Sequence, residues 1–377
     1  MHILIAPNAF KNSLDAIQVA KAIEQGLQQS LLDCTTECFP IADGGDGTGS
    51  LIIDRCKGVI VSQQVHDPLG RKIDSRFGLI ENGKTAVIEM ADASGLRLLK
   101  RDELNPMQTS SYGTGELINA ALDKGAAKII IAMGGSATVD GGCGILKALG
   151  IDFLDKEGMH LEAIPNELLK MVKIDDSGLD RRILDTEIVI LCDVNNKLLG
   201  PEGAAAVFGP QKGASQSDVK LLDNFLTNFA AVSKEQLGTD MTAIKHGGAA
   251  GGATAGLHTW LNAKLVNGIE YFLSLTGFDQ ALKNADLVIT GEGSIDTQTL
   301  QGKGPYGVAV EAKKRCIPVV GLAGRIPTKA DAGLQKYFGF LLSINHEFID
   351  MPTAIANTEK NLIISAKSLG NLIVSKN

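Results

Sequence analysis

The chain has 377 residues, a length that favours two domains over one. Its formal net charge of -7 argues against a nucleic-acid-binding protein, because phosphate contacts need a basic surface. Hydrophobic residues make up 44% and charged residues 21%, an ordinary composition for a folded protein, but 43 glycines are an unusually large number. The glycines indicate many tight turns, of the kind that hold phosphates and small substrates.

Short apolar runs rich in β-branched residues recur along the chain and predict strands buried on both faces. Helical patterns lie between them, with apolar residues three and four positions apart. Ser13 and Thr114 are the predicted N-caps of the first two helices, and residues 354–375 are the predicted last helix. This alternation predicts an α/β fold. The predicted strands are residues 2–7, 58–65, 85–90, 128–133, 187–194, 286–291, 317–321 and 338–344.

Residues 59–90 differ from this alternation, because turns at 67–70 and 81–83 divide them into three extended segments. Such a pattern is typical of an antiparallel meander.

The two ends of the chain share the strand–helix pattern, whereas the middle is rich in glycine. We therefore predict a doubly wound α/β domain built from residues 1–85 plus 278–377, with a second α/β domain inserted at residues 86–277. The cleft between two such domains is the expected active site.

Five polar, glycine-rich loops follow or link the predicted strands, and in open α/β sheets ligands bind where strands end. In the first loop, Lys11 adds a cation near a helix N-terminus. In the second, Asp43 and Asp46 lie among four glycines, as a Mg²⁺ or sugar-hydroxyl site needs. A capped helix start and a simple turn are the structural alternatives. The loops are residues 7–13, 40–49, 105–116, 133–142 and 290–303.

The remaining loops carry hydroxyls, backbone amides and further acids. Ser110 and Ser111 stand at a predicted helix start and suit an anion or a polyol, and residues 134–142 resemble a phosphate-binding nest. Glu292 and Asp296 place two carboxylates in the fifth loop.

Asp193 follows the predicted strand 187–194 at its carboxyl end, where it could act as a base or a metal ligand. A solvated strand-end aspartate is the alternative.

Several common signatures are absent from the sequence. There is no P-loop motif and no protein-kinase signature, and the G-x-G-x-x-G match at residues 302–307 does not follow a strand. The six cysteines form no C-x-x-C pair, which favours reduced thiols in a cytoplasmic protein. No signal peptide and no transmembrane run is expected.

Ten segments, in order along nearly the whole chain, together resemble the bacterial type 1 glycerate kinase family. Each segment is weak by itself, but ten in register are highly specific. They include IEMADASGL at 88–96, GGSATVDGG at 134–142, GAAAVFGPQKGA at 203–214 and GAAGG at 248–252; the others are residues 6–11, 41–48, 67–71, 105–116, 192–194 and 286–299.

The resemblance implies a Rossmann-like α/β domain interrupted by a second α/β domain. It also implies transfer of the γ-phosphate of ATP to D-glycerate, with 2-phosphoglycerate as the expected product rather than 3-phosphoglycerate. Three positions depart from the family pattern: Asn8 stands where Asp is frequent, Lys197 replaces a usual Pro, and Ser294 stands where Arg is common.

For this reaction we expect Mg²⁺ on the nucleotide, cations around the transferred group and a base near the hydroxyl. Asp193 is the predicted base, and Asp43 and Asp46 are the predicted Mg²⁺ ligands. Glu292 and Asp296 either share this metal role or bind the glycerate hydroxyls. The predicted cations are Lys11, Arg71 and Lys212, of which Arg71 suits a planar carboxylate best. The predicted neutral donors are Ser110, Ser111, Gly134, Gly135 and Ser136.

Two other function classes stay open at this stage. A nicotinamide-dependent hydroxy-acid oxidoreductase would use a similar two-domain shell, although the missing dinucleotide fingerprint argues against it. A non-catalytic sugar-acid sensor would bind without turnover. The expected partners are ATP and D-glycerate, with no nucleic acid and no membrane, and a homodimer is left open.

Overall fold

The computed structural model describes residues 1–192, 194–329, 331–347 and 350–375, in which strands and helices alternate. The predicted α/β class is confirmed. The strands are β1 (His2–Ile5), β2 (Thr35–Cys38), β3 (Val59–His66), β4 (Lys72–Ile80), β5 (Thr85–Glu89), β6 (Lys128–Ala132), β7 (Asp152–Leu154), β8 (Lys173–Asp175), β9 (Glu187–Cys192), β10 (Lys264–Asn267), β11 (Leu287–Ser294), β12 (Val319–Arg325) and β13 (Phe340–Ser343). The α-helices are α1 (Ala16–Gln28), α2 (Thr48–Arg55), α3 (Ala91–Ser94), α4 (Tyr112–Asp123), α5 (Cys143–Ala148), α6 (Pro165–Leu168), α7 (Ala204–Phe208), α8 (Gln216–Leu237), α9 (Ala253–Leu261), α10 (Gly268–Leu275), α11 (Phe278–Leu282), α12 (Gly304–Lys314), α13 (Ala332–Gln335), α14 (Met351–Ala356) and α15 (Thr358–Val374).

The chain forms two compact units. Unit 1 contains residues 1–43 and 267–377, and unit 2 contains residues 44–266. Unit 2 begins and ends earlier than the predicted insertion at 86–277. It begins earlier because β3 and β4 pair with β5 in one sheet, and it ends earlier because α10 packs closely on α12 of unit 1.

Unit 1 is built on a five-stranded parallel sheet in the order β13-β12-β11-β1-β2. Ile3 in β1 pairs with Leu287 on one side and with Thr36 on the other, so the strand order reverses between β1 and β11. Helices α1 and α15 pack together, and a Cβ at Gly26 would lie only 2.4 Å from the Ile363 carbonyl oxygen. Glycine is therefore required for this close helix contact.

Two predicted helix caps of the sequence are wrong. Asp15, not Ser13, caps α1, because its carboxylate accepts the Gln18 N–H at 2.8 Å, while the Ser13 hydroxyl donates to the Ile355 carbonyl oxygen at 2.8 Å. Thr114 lies inside α4, which begins at Tyr112, and its hydroxyl bonds to that of Ser94.

The predicted helix 354–375 also differs from the structure, which has two helices, α14 and α15. They are separated by Asn357, a residue outside both elements.

Unit 2 is built on a six-stranded mixed sheet in the order β10-β9-β6-β5-β4-β3. The pairs β3–β4 and β4–β5 are antiparallel, as the turns at 67–70 and 81–83 predict, whereas β5, β6 and β9 are parallel. Residues such as Ile129, Ile131 and Phe229 are fully buried in its core. No helix in the described part of the chain has both the length and the apolar character needed to cross a membrane.

Candidate functional site

The loops after β1, β2 and β11 meet at the carboxyl edge of the unit 1 sheet. The Asn8 N–H donates to the Gly291 carbonyl oxygen at 2.8 Å, and the Asn8 side-chain amide donates to Oδ2 of Asp43 at 3.1 Å. The N–H of Gly304, the first residue of α12, donates to the same oxygen at 3.1 Å. Asp43 is thus held by two donors where the strand order reverses, which is where open α/β sheets bind ligands.

Glu292 is the buried acid of this cluster, with only 8% of its surface exposed. Burial raises the pKa of Glu292 to about 7, and the nearby Asp43 carboxylate acts in the same direction, while Lys303 and Lys11 oppose them. The Thr299 hydroxyl donates to Oε1 of Glu292 at 3.1 Å. The site therefore combines two carboxylates with two lysines, which can bind and neutralise a charged substrate.

Asp296 follows on the same loop. Its Oδ1 accepts the Gln298 N–H at 2.9 Å, and its Oδ2 accepts the Ser294 hydroxyl at 3.3 Å. Asp296 and Ser294 both lie on the wall of a cavity at the ends of β11 and β12.

A second acidic cluster lies in unit 2, around Asp46. Arg97 donates to Asp46 at 2.7 Å and also bonds to Asp92, while the Gly47 N–H donates to Glu89 at the end of β5. Burial raises the pKa of Glu89 to about 7, and a hydrogen bond with Asp46 acts in the same direction. The Asp46 carboxylate is thus already paired with a cation.

The Gly134–Ser136 turn packs directly on the loop that carries Asp46. A Cβ at Gly134 would lie 2.3 Å from the Gly45 carbonyl carbon, and Gly135 has a φ of +72°. Both positions therefore need glycine. Gly135 is exposed, and its amide has no acceptor in the described part of the chain, so it can donate to an anion.

Lys212 lies beneath this turn rather than on the surface, with 2% exposure. Its ammonium donates to the Ser136 hydroxyl at 2.9 Å and to the Thr138 carbonyl oxygen at 2.6 Å. Burial lowers the pKa of Lys212 to about 7, while the Asp140 carboxylate opposes the shift. In this arrangement Lys212 supports the turn from inside.

Asp140 joins the starts of two helices. Its carboxylate accepts the N–H and the hydroxyl of Ser111, both at 2.7 Å, and the N–H groups of Gly142 and Gly144. The Ser111 hydroxyl also accepts the Ile145 N–H at 3.1 Å, and both Asp140 and Ser111 are fully buried. The Ser111 hydroxyl is therefore used within the fold.

Arg71 and Ser110 were the other predicted binding residues in unit 2. The Arg71 guanidinium donates to Asp67 at 2.6 Å and to Glu103 at 2.7 Å, so two carboxylates already occupy it. Ser110 is partly exposed, and its hydroxyl accepts the Tyr112 N–H at 3.3 Å. Of the two, Ser110 is the one whose side chain is not paired with a carboxylate among the described residues.

The structure does not describe Asp193, the predicted base, so that prediction lies outside the described residues.

Mg²⁺ requires oxygen ligands, and the described residues contain no group of three or more acidic, histidine or cysteine side chains placed to hold a metal. Magnesium sites of nucleotide enzymes need only one or two carboxylates in addition to phosphate oxygens. Asp43 fits this requirement better than Asp46, because within the described residues Oδ1 of Asp43 has no partner whereas Asp46 is paired with Arg97.

Asn8, Thr299 and Glu89 were not among the predicted site residues. The signal for Thr299 was the hydroxyl-rich loop around Glu292, and Asn8 stood out only as a departure from the family pattern. Glu89 had a signal of its own, because an acid ends an otherwise apolar strand.

A sequence model described as "Glycerate kinase family" matches residues 3–374 of this chain. Among curated proteins, the chain is 45% identical to a glycerate kinase of Bacillus subtilis over 91% of this chain and 90% of that protein. It is 43% identical to a glycerate 2-kinase of Escherichia coli over 91% of each chain. The similarity thus extends over nearly the full length of these relatives.

A solved structure is also similar to this chain. It is the crystal structure of a protein provisionally assigned as glycerate kinase 2 from Salmonella typhimurium LT2, with a TM-score of 0.83 and 41% identity. The match covers 100% of this chain and 99% of the other.

Proposed function

The chain belongs to the glycerate kinase family, and on that premise we propose that it transfers the γ-phosphate of ATP to D-glycerate, yielding 2-phosphoglycerate and ADP. The product follows the Escherichia coli relative, which is named a glycerate 2-kinase. The expected cytoplasmic location and the interdomain cleft stay predictions.

The observation that carries this proposal is the cluster of Asp43, Glu292, Lys11 and Lys303 at the carboxyl edge of the unit 1 sheet. Phosphoryl transfer depends mainly on positioning and on neutralising the charge of the phosphates, rather than on covalent chemistry. Two lysines supply the positive charge, and Asp43 supplies a carboxylate that can hold Mg²⁺. The cluster therefore contains the cations and the metal ligand that the reaction needs.

In this proposal, Lys11 neutralises charge on the transferred phosphoryl group. Lys11 is exposed on the loop after β1, so its ammonium can move toward a ligand. Asp43 would hold Mg²⁺, which when bound lowers the repulsion between the phosphate oxygens and the attacking hydroxyl. The Asn8 amide and the Gly304 N–H keep the Asp43 carboxylate in one orientation.

The acceptor hydroxyl must lose a proton as its oxygen bonds to the γ-phosphorus and ADP leaves. We assign that proton to Asp193, on the sequence argument that it directly follows β9. We assign D-glycerate binding to Ser110 and to the amide of Gly135, with Lys212 supporting the turn from beneath. Arg71 would bind the glycerate carboxylate only by giving up a contact with Asp67 or Glu103.

The test is ADP release by the purified protein with ATP, Mg²⁺ and D-glycerate, compared with Asp43→Asn. We expect release that depends on D-glycerate, and a loss of about 100-fold or more in kcat for the variant, because an amide is a poor Mg²⁺ ligand. Asp54→Asn, on the exposed side of α2, is the matched control and should retain full activity. Absence of glycerate-dependent ADP release from the wild-type protein would refute the proposed function.

A further inference from the structure

We propose that the cavity at the carboxyl ends of β11 and β12 binds the nucleotide, with Arg325 and Lys329 holding the phosphates of ATP. This inference rests on the proposed function and adds to it the place where the phosphoryl donor binds.

The cavity lies where two neighbouring parallel strands end. Ser294 pairs with Arg325 in the register of β11 and β12, and the Ile295 N–H continues the pairing by donating to the Arg325 carbonyl oxygen at 3.0 Å. The loops that follow these two residues form the cavity walls. Its position at the carboxyl edge of the sheet is that of ligand sites in open α/β folds.

The size of the cavity suits a nucleotide better than glycerate. Its volume is about 450 Å³, within the range of about 300–1,000 Å³ found for pockets that bind cofactors and drug-sized ligands. D-glycerate has only three carbon atoms and would leave most of this space to solvent. A ligand with a base, a sugar and phosphates would use it.

The charges on the wall point to phosphate. Arg325 and Lys329 are both exposed, and neither side chain forms a salt bridge or a hydrogen bond with any residue that the structure describes. By contrast, Arg71, Arg97 and Arg315 are each paired with a carboxylate. Two unpaired cations on one wall match the several negative charges of a triphosphate better than the single charge of glycerate.

The other wall residues fit the remainder of a nucleotide. Asp296 is held by Gln298 and Ser294, and its carboxylate can accept hydrogen bonds from sugar hydroxyls. Ile326 and Pro327 are partly exposed and offer apolar surface to a base. Asp331 lines the cavity but already caps α13 through the Leu334 N–H at 2.9 Å.

The experiment compares the wild-type protein with the double variant Arg325→Gln/Lys329→Gln. We measure the KM values for ATP and for D-glycerate, and we titrate both proteins with the non-hydrolysable analogue AMP-PNP in a calorimeter. We expect the KM for ATP and the Kd for AMP-PNP to rise about 10- to 100-fold, with the KM for D-glycerate unchanged, because each lost phosphate contact is charge-assisted.

The matched control is Lys360→Gln/Lys367→Gln, which removes two exposed positive charges from α15 of the same unit. It should leave all three constants unchanged. Equal thermal unfolding midpoints of wild type and variants will show that the substitutions of exposed residues leave the fold intact.

The outcomes separate this inference from the proposed function. The first case is a wild-type protein that phosphorylates glycerate, in which the proposed function stands. The nucleotide assignment is then wrong if the KM of the double variant for ATP equals that of wild type, or if only its KM for D-glycerate is higher. If the wild-type protein shows no turnover, the proposed function fails, and the AMP-PNP titration alone tests the nucleotide site. Weaker AMP-PNP binding by the double variant than by wild type would then support the site. Equal AMP-PNP affinity of the two proteins, or no AMP-PNP binding by the wild type, would overturn it.

Discussion

The side-chain amide of Asn8 donates a 3.1 Å hydrogen bond to Oδ2 of Asp43, joining the loop after β1 to the loop after β2. The Asn8 Oδ1 in turn accepts the Ala9 N–H at 2.8 Å, so the side chain is held at both ends. Asn8 thereby fixes the direction in which Asp43 presents its second oxygen. This contact is the reason to treat Asn8 as a positioning residue of the site.

Replacing Asn8 with alanine should therefore lower activity more than stability. Asn8→Ala leaves Asp43 with the Gly304 N–H as its remaining donor, and we expect kcat/KM to fall about 10-fold, equivalent to roughly 1.4 kcal/mol. The measurement is steady-state kinetics at saturating Mg²⁺. Asn166→Ala, at an exposed position in α6, is the control, and an unchanged kcat/KM in Asn8→Ala would contradict the positioning role.

Glu292 should make the protein less stable as the pH rises. Its pKa is about 7 when folded against an ordinary value of 4.5, so between these values the folded state holds more protons than the unfolded state. Stability contributed by the protonated form is complete below about pH 4.5 and is lost as the pH passes through 7. Glu292→Gln should remove this loss. From pH 5 to pH 8, the free energy of unfolding of the wild-type protein should fall by about 2–3 kcal/mol relative to that of the variant.

The measurement for Glu292 is the urea unfolding free energy at the two pH values. Glu235→Gln, on the exposed face of α8, serves as the control for losing one acid. Parallel pH dependence in wild type and Glu292→Gln would show that Glu292 titrates normally.

Lys212 should have the opposite pH dependence. Its pKa is about 7 when folded against 10.5 ordinarily, so between these values the unfolded state holds more protons and stability increases with pH. The free energy of unfolding of the wild-type protein should rise by about 2 kcal/mol between pH 7.5 and 9, and Lys212→Met should abolish this increase. It should also lower kcat about 10-fold or more, because Ser136 and Thr138 lose their donor.

Thermal unfolding across this pH range and initial rates at pH 7.5 will test the Lys212 prediction. The control is Lys220→Met in α8, an exposed lysine that should change neither quantity. A kcat equal to that of wild type would mean that the turn keeps its shape without the buried ammonium.

Asp140 should matter for folding rather than for chemistry. Its carboxylate accepts four hydrogen bonds from Ser111, Gly142 and Gly144, and an amide at this position cannot accept all of them. We expect Asp140→Asn to destabilise the protein by about 3 kcal/mol or more in urea unfolding. Asp102→Asn, at an exposed position, should have little effect, and equal stability of Asp140→Asn and wild type would contradict this role.

The α/β class and most central strands could be predicted because short apolar runs rich in β-branched residues, such as Ile129–Ile131, are typical of buried strands. Strand β2 could not, because its sequence TTEC is short, polar and half-exposed. The cap of α1 was misplaced because Ser13 and Asp15 are both good N-cap residues, and only the structure shows that Ser13 bonds to Ile355 instead.

The site was predictable as a set of loops but not as a set of contacts. Glycine-rich loops with acids and lysines identified Lys11, Asp43 and Glu292, since their position at strand ends is visible in the sequence. Nothing in the sequence shows that Lys212 is buried or that Arg71 is paired with Asp67 and Glu103, because burial and pairing depend on distant segments. Such residues look like free cations until the fold is known.

The most direct test of the proposed function is ³¹P NMR of the product formed from ATP, Mg²⁺ and D-glycerate by the wild-type protein. We expect equimolar ADP and a single new phosphomonoester whose phosphorus couples to the C2 proton, as in 2-phosphoglycerate. A product coupled to the C3 protons would contradict the assigned position of transfer. The absence of any glycerate phosphate would contradict the function itself.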